Sequence, residues 1–204
     1  MRGRADKAHD GDAAPADRRG AILVAAARLI AREGVRGLRV EEVASEAGVS
    51  PPLLYYHFAS RSGLIKAALE HASEHAPSAA LRSAPEGEDG FTAVENALLA
   101  ELGDDRAVRD NAVVWGEVSA SAVFEPALRD DVRRVTEEWS ATVASAIRRG
   151  MDDGSIGLTE ADPEEAAEVL ITLVDGLCAR WLSGAMERER ARELLAAAIA
   201  RILG

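Results

Sequence analysis

The chain has 204 residues, 48% of them apolar and 29% charged, which is enough apolar material for a buried core and excludes a chain disordered throughout. No uninterrupted apolar run exceeds the length of Ala21 to Ala27, so no segment approaches the roughly 20 residues of a membrane span, and the sole cysteine, Cys178, leaves neither an intrachain disulfide nor a cysteine zinc cluster. The net charge of −11 is unevenly spread: residues 1–70 carry 11 Lys and Arg against 9 Asp and Glu, so a mildly basic head precedes an acidic body.

Residues 1–15 have charges but no apolar stretch of the secretory kind, and read as a disordered tail of a cytoplasmic protein. Asp17 offers an N-cap to a first helix whose Ile22, Ala26, Leu29 and Ile30 share one face, with Gly34 as its stop. A short helix from Val40 to Ala47 follows, ended by Gly48-Val49. Ser50 is a good N-cap, and Pro51 and Pro52 fit the first turn of a third helix, where missing N–H groups cost little. Ser60 caps a fourth helix with Leu64, Ile65, Ala68 and Leu69 on one face. Residues 76–90, rich in Pro, Gly and Ser, read as a loop.

Beyond them the pattern predicts helices over 91–102, 106–121 and 126–152. The last of these points Leu128, Val132, Val135, Trp139, Val143, Ile147 and Met151 inward and breaks at Gly154. Asp162-Pro163-Glu164-Glu165 marks a helix start, with a cap, a first-turn proline and a carboxylate in the manner of a capping box. That helix runs to Ser183, and a final one covers 187–203. The expected fold is all-α. A tail (1–15) precedes a three-helix DNA-binding head (16–60) and a helical effector and dimerisation bundle (61–204).

Function is carried by residues 39–58. Two short helices joined by a tight Gly-Val-Ser turn form a helix-turn-helix, whose second helix lies in the major groove. Leu54 and Phe58, four apart, hold that helix to the head. Two tyrosines and a histidine on so short a helix exceed what one core face requires. Val43-Ala44, Ala47-Gly48-Val49-Ser50, Leu54-Tyr55, His57-Phe58, Ser60-Arg61 and Leu64 together resemble the TetR family of bacterial regulators, as does Gly34-Val35-Arg36-Gly37-Leu38 ahead of the second helix. The resemblance implies that the Tyr55 hydroxyl and the Arg61 charge meet phosphates, and that Pro51, Pro52, Leu53 and Tyr56 approach bases. Arg39 stands where the family often has threonine, so an Arg39–phosphate contact is expected instead. Ser50 and His57 complete the DNA-facing set. Since Pro51-Pro52-Leu53 offers few side-chain hydrogen bonds, specificity is expected to lean on thymine methyls, on His57 or Tyr56, and on DNA shape.

From about Val114 to Leu203 the body is similar to the BetI-type branch of that family. The resemblance implies a homodimer in which the last two helices pair with their copies, set on a near-palindromic operator. Apolar stripes agree with this: Leu170, Ile171, Val174, Leu177, Cys178 and Trp181 on one helix, and Leu194, Leu195, Ala198, Ile199 and Ile202 on the other, look wider than one monomer core needs. All three tryptophans lie in the body. Trp115, Trp139 and Trp181, with Phe124 and with Glu117 or Asp175, form the candidate wall of a pocket for a small-molecule effector; such groups suit an organic cation. Each tryptophan taken singly reads better as a packing anchor. No cofactor, no membrane and no enzyme activity are expected.

Two other readings are open. His71-Ala72-Ser73-Glu74-His75 spells the H-x-x-E-H pattern of inverted zinc peptidases. A five-residue pattern arises easily by chance and no third ligand is indicated, so a solvated helix end before Pro77 is the preferred reading, and no metal is expected. A helical ligand-binding adaptor without a DNA role is the other; loss of DNA binding on Tyr55→Phe separates it from a regulator.

Overall fold

The computed structural model describes residues 15–83, 87–157 and 162–204, and among these every regular element is helical. Four helices come first: α1 (Pro15–Gly37), α2 (Val40–Glu46), α3 (Pro51–Phe58) and α4 (Arg61–Glu74). A 3-10 turn at Pro77–Arg82 leads to α5 (Gly90–Ala100), α6 (Arg106–Ala122), a second such turn at Pro126–Leu128, α7 (Arg129–Asp153), α8 (Pro163–Leu182) and α9 (Arg188–Leu203). No helix among the described residues is long and apolar enough to cross a membrane.

The caps act where their chemistry says they should. Ser60 accepts from the N–H of Gly63 at 3.0 Å, Asp89 from Thr92 at 2.8 Å and Asp162 from Glu165 at 2.7 Å, each relieving an orphan donor of a first turn. Asp17 is not such a cap, because α1 is already helical from Pro15. The tail expected over 1–15 falls, apart from Pro15, outside the described residues. Residues 76–83 are not an open loop: the 3-10 turn there buries Ser78 and Leu81.

Two cores organise the packing. The first gathers the apolar faces of α1 to α4 with Val114, Val118 and Ala122 of α6, Leu128 and Val135. The second joins Leu81, α5, the C-terminal half of α7, α8 and α9. Packing thus continues across residue 60: α4 shares the core of the head, and α6 lies along α1. On the solvent side, Lys66 Nζ stands 2.7 Å from Asp131 Oδ2, and Arg134 pairs with Glu70, so ion pairs also link α4 to α7.

The apolar stripe of α8 has a different destiny from the one expected. Leu170, Ile171, Val174, Leu177, Cys178 and Trp181 are all buried within the single chain, so its own core uses them. On these two helices the larger apolar groups left over are Val169, which is exposed, and Leu173, Leu182, Leu194 and Ile202, which are partly buried. Met151, expected inward, is exposed in the last turn of α7, where the neighbouring Gly150 faces the core instead.

Two glycines permit close approaches. A Cβ on Gly90 would stand 2.3 Å from the Gly150 backbone, so this pair lets α5 start against α7. Gly34 has φ 73° and ψ 169°, a region essentially reserved for glycine, and it breaks the regular course of α1. A Cβ there would also lie 2.7 Å from Glu117 Oε2. Gly34→Ala is therefore expected to destabilise the protein by about 2 kcal/mol, a Tm drop on the order of 5 °C in thermal unfolding.

Candidate nucleic-acid interface and effector pocket

The turn between α2 and α3 works through Gly48, whose φ of 66° allows the reversal, and Val49, which packs against the core of the head. Ser50 takes an extended backbone and accepts from the Leu53 N–H at 3.4 Å, so its hydroxyl is used as a cap. Leu54 is fully buried and Phe58 nearly so. A helix held along that edge must turn the positions between them outward. Tyr55 is 44% exposed and Tyr56 83%, Pro51 and Pro52 are exposed, and Leu53 is half-buried. Large aromatic surface left in water on a short helix needs a partner to cover it.

His57 is half-buried, edge-on to Tyr56 with ring centres 5.4 Å apart, and its Nε2 has no hydrogen-bond partner among the described residues. Arg39 precedes α2 in extended conformation. Its side chain is largely exposed, and its guanidinium is 2.9 Å from Glu42 Oε1. Arg61 is placed differently from the phosphate contact expected of it. Its Nε donates to the Leu38 carbonyl at 3.0 Å and its Nη2 to the Val35 carbonyl, so the guanidinium turns inward onto the end of α1. A cation at a helix start reads from sequence as an anion site, whereas acceptors 23 and 26 residues upstream leave no local signal.

Between α4, α6, α7 and α8 lies a narrow pocket with a cavity volume of about 70 Å3. Trp115, Trp139 and Asp175 line it as expected of a shared site, and Glu101, Val174 and Cys178 join them. The two indole rings meet edge to face with centres 6.3 Å apart. Asp175 is pushed up to about 6, chiefly by burial; a hydrogen bond from Trp115 opposes the rise, and the nearby Glu101 charge adds to it. Glu101 is itself raised by burial, and its Oε1 accepts from the Ser78 N–H at 2.8 Å. Burial and the two carboxylates push the Cys178 thiol up to about 12, so it stays protonated. The Nε1 of Trp139 is buried without a partner among the described residues. The pocket thus pairs two desolvated carboxylates with two aromatic faces and one unused donor.

Three expected wall residues lie elsewhere. Glu117 accepts from the Val35 N–H at 3.0 Å, and with Phe124 lines a separate cleft against α1. Phe124 is 73% exposed there, with the Arg36 guanidinium 5.8 Å from its ring centre. Trp181 is a packing anchor of the second core, with Arg109 over its face at 4.9 Å. Glu101 carries no local sign of burial, since an acid closing a helix in a Glu-Leu-Gly-Asp-Asp run resembles a solvated end.

Residues 22–68 match the bacterial regulatory proteins of the tetR family, and residues 92–204, more than half the chain, match the BetI-type transcriptional repressor C-terminal domain. The chain belongs to the TetR family. It is a DNA-binding transcriptional regulator with an all-α fold, a helix-turn-helix head and a helical C-terminal domain. A TetR-family transcriptional regulator from Rhodococcus sp. is 42% identical over 93% of this chain and 100% of its own, with a TM-score of 0.85. The HTH-type transcriptional regulator BetI of Burkholderia mallei is 27% identical over 84% of each chain. A transcriptional regulator from Saccharomonospora viridis, solved in complex with choline, is 28% identical over 92% of this chain and 98% of its own, with a TM-score of 0.76.

Asp175 gives the regulator a distinct pH dependence. Its carboxyl, raised from 3.8 to about 6, binds a proton more readily in the folded chain. Its contribution to stability is fully present below about pH 4 and is lost as pH rises through 6. Asp175→Asn removes that loss, so the variant is expected to be more stable at pH 7.5 by on the order of 1–3 kcal/mol. The difference closes as the pH of a calorimetric series falls towards 4.

Proposed function

We propose that this regulator is a homodimeric repressor that sits on a near-palindromic operator and leaves it when an organic cation enters the pocket. The observation that carries the proposal is the double role of α4: its apolar face belongs to the core of the head, while Leu69, Ala72 and Ser73 line the pocket. A ligand that binds one placement of α4 better than another shifts the population of head positions. Residues 16–60 form the DNA-binding unit of this reading and residues 61–204 the effector and dimerisation unit. In the dimer, α8 and α9 pair with their copies through Val169, Leu173, Leu194 and Ile202, apolar groups of these helices that the chain leaves exposed or half-buried. The protein acts in the cytoplasm, where its DNA lies.

On the DNA side, Tyr55 and Arg39 contact phosphates, and Pro51, Pro52, Leu53, Tyr56 and His57 face the groove. Ser50 holds the helix start, and Arg61 positions the head through the α1 carbonyls. On the effector side, the Asp175 and Glu101 carboxylates attract a cation, Trp115 and Trp139 face it with their rings, and the Trp139 Nε1 donates to an acceptor on the same molecule. The choline complex of the Saccharomonospora viridis protein supports this class of ligand. Protonation of Asp175 below about pH 6 weakens the attraction, so cation affinity falls as pH drops through that value.

The test is selection of genomic fragments by the purified, ligand-free protein at about 0.15 M salt, followed by titration of the recovered complex with choline and larger quaternary amines. A near-palindrome with half-sites one helical turn apart, about 34–36 Å, bound by a dimer and released by a cation, is expected. Recovery of no preferred sequence overturns the operator reading; a cation that binds without changing operator affinity overturns the release step.

Arg39 and Arg61 separate by salt dependence. Arg39→Gln is expected to lower the slope of log K against log salt by about 1, the mark of one lost phosphate contact. Arg61→Gln is expected to weaken binding with the slope unchanged and to lower the Tm.

A further inference from the structure

The last turn of α4 brings together three groups the pocket and the DNA face do not use. His71, Glu74 and His75 each place one ligand atom within 4.8 Å of the others, and the two imidazole rings have centres 4.1 Å apart. We propose that this turn is a binding site for a divalent transition metal of the zinc, nickel or copper class, held by both imidazoles and the Glu74 carboxylate. The proposal stands apart from the reading of the pocket and from operator binding.

Four physical points support it. Imidazole nitrogens and a carboxylate are the donor set these ions take, and bonds of about 2.0–2.2 Å need only modest side-chain rotation to close from the present spacing. Residues four apart on a helix share a face, and Glu74 stands beside them. His75 is oriented to ligate through Nε2. Its Nδ1 lies 2.8 Å from the His71 carbonyl oxygen, which can only accept, so Nδ1 is the donor in this bond and Nε2 is the nitrogen left for a metal. A backbone carbonyl behind the second nitrogen is also the usual way a ligating histidine is oriented. Finally, the site lies at a helix C-terminus, whose partial negative charge favours a cation. The charge of Arg19 reaches His71 and opposes binding, and the Glu74 carboxylate offsets it.

His75 and Glu74 are exposed and His71 is half-buried, so an ion enters from solvent, and three protein donors leave further positions to water. The site sits at a junction. The His75 carbonyl accepts from Asn111 Nδ2 of α6 at 3.3 Å, and the neighbouring Ala72, Ser73 and Ala76 line the pocket.

Untagged full-length protein, stripped with a chelator, is titrated with Co2+ and read by visible absorption and calorimetry, then challenged with Zn2+. One saturable Co2+ per chain, displaced by Zn2+, is expected, and the His71→Ala/His75→Ala double variant is expected to lose it while keeping its far-ultraviolet dichroism. Glu74→Gln, an exposed single change, covers the case in which the double variant fails to fold; it is expected to weaken binding on the order of tenfold, the size of effect that even an outer partner of a ligand has. Absence of saturable Co2+ binding overturns the site, as does binding that these variants leave undiminished.

Discussion

Where α1 breaks at Gly34, its last peptide groups lose their helical partners in a place largely shielded from water. Unpaired backbone groups there would cost on the order of 1–3 kcal/mol each, so the surrounding helices must supply donors and acceptors. Glu117 of α6 takes the Val35 N–H, and Arg61 of α4 takes the Val35 and Leu38 carbonyls. One short stretch of chain is therefore held by an acid from the body and a base from the linking helix. The direction of α2, and with it the presentation of α3, depends on that clamp. The left-handed backbone of Gly34 is what lets Glu117 come close enough to close it.

The pocket obeys a different logic. Two carboxylates so close and so poorly hydrated would be more stable neutral, and burial pushes both upward. Among the described residues they receive one indole N–H and one backbone N–H, and a second indole N–H is without an acceptor. Such a site is less stable empty than an apolar filling of the same space.

What the sequence reveals about this structure is what lies within one helical turn. Ser60 and Asp162 cap their helices because a cap and its N–H are three residues apart. Leu54 and Phe58 separate from Tyr55 and Tyr56 because the helical period alone decides which side faces the core. Long-range partners are another matter. Glu117 lies within α6 and Glu101 just past the end of α5; one closes the α1 clamp and the other lines the pocket, and nothing in the local sequence of either announces its partner. Trp181 and Trp139 look alike in sequence, yet one anchors the second core and the other lines the pocket, since that depends on where α5 and α7 pass. The 3-10 turn at Pro77–Arg82 hides behind a loop-like composition because its stabilising contact, from the Ser78 N–H to Glu101, comes from 23 residues away.

The start of α3 has a consequence for how this head can hold DNA at all. A helix N-terminus usually greets a phosphate with free amide hydrogens, but Pro51 and Pro52 have none. The Leu53 amide is spent on the Ser50 hydroxyl and carbonyl, and that of Leu54 on the same carbonyl. The tip of the recognition helix is thus a blunt hydrocarbon wedge with no backbone hand to offer the strand. Two exposed pyrrolidine rings therefore put bulk, and no hydrogen-bonding group, at the front of the helix.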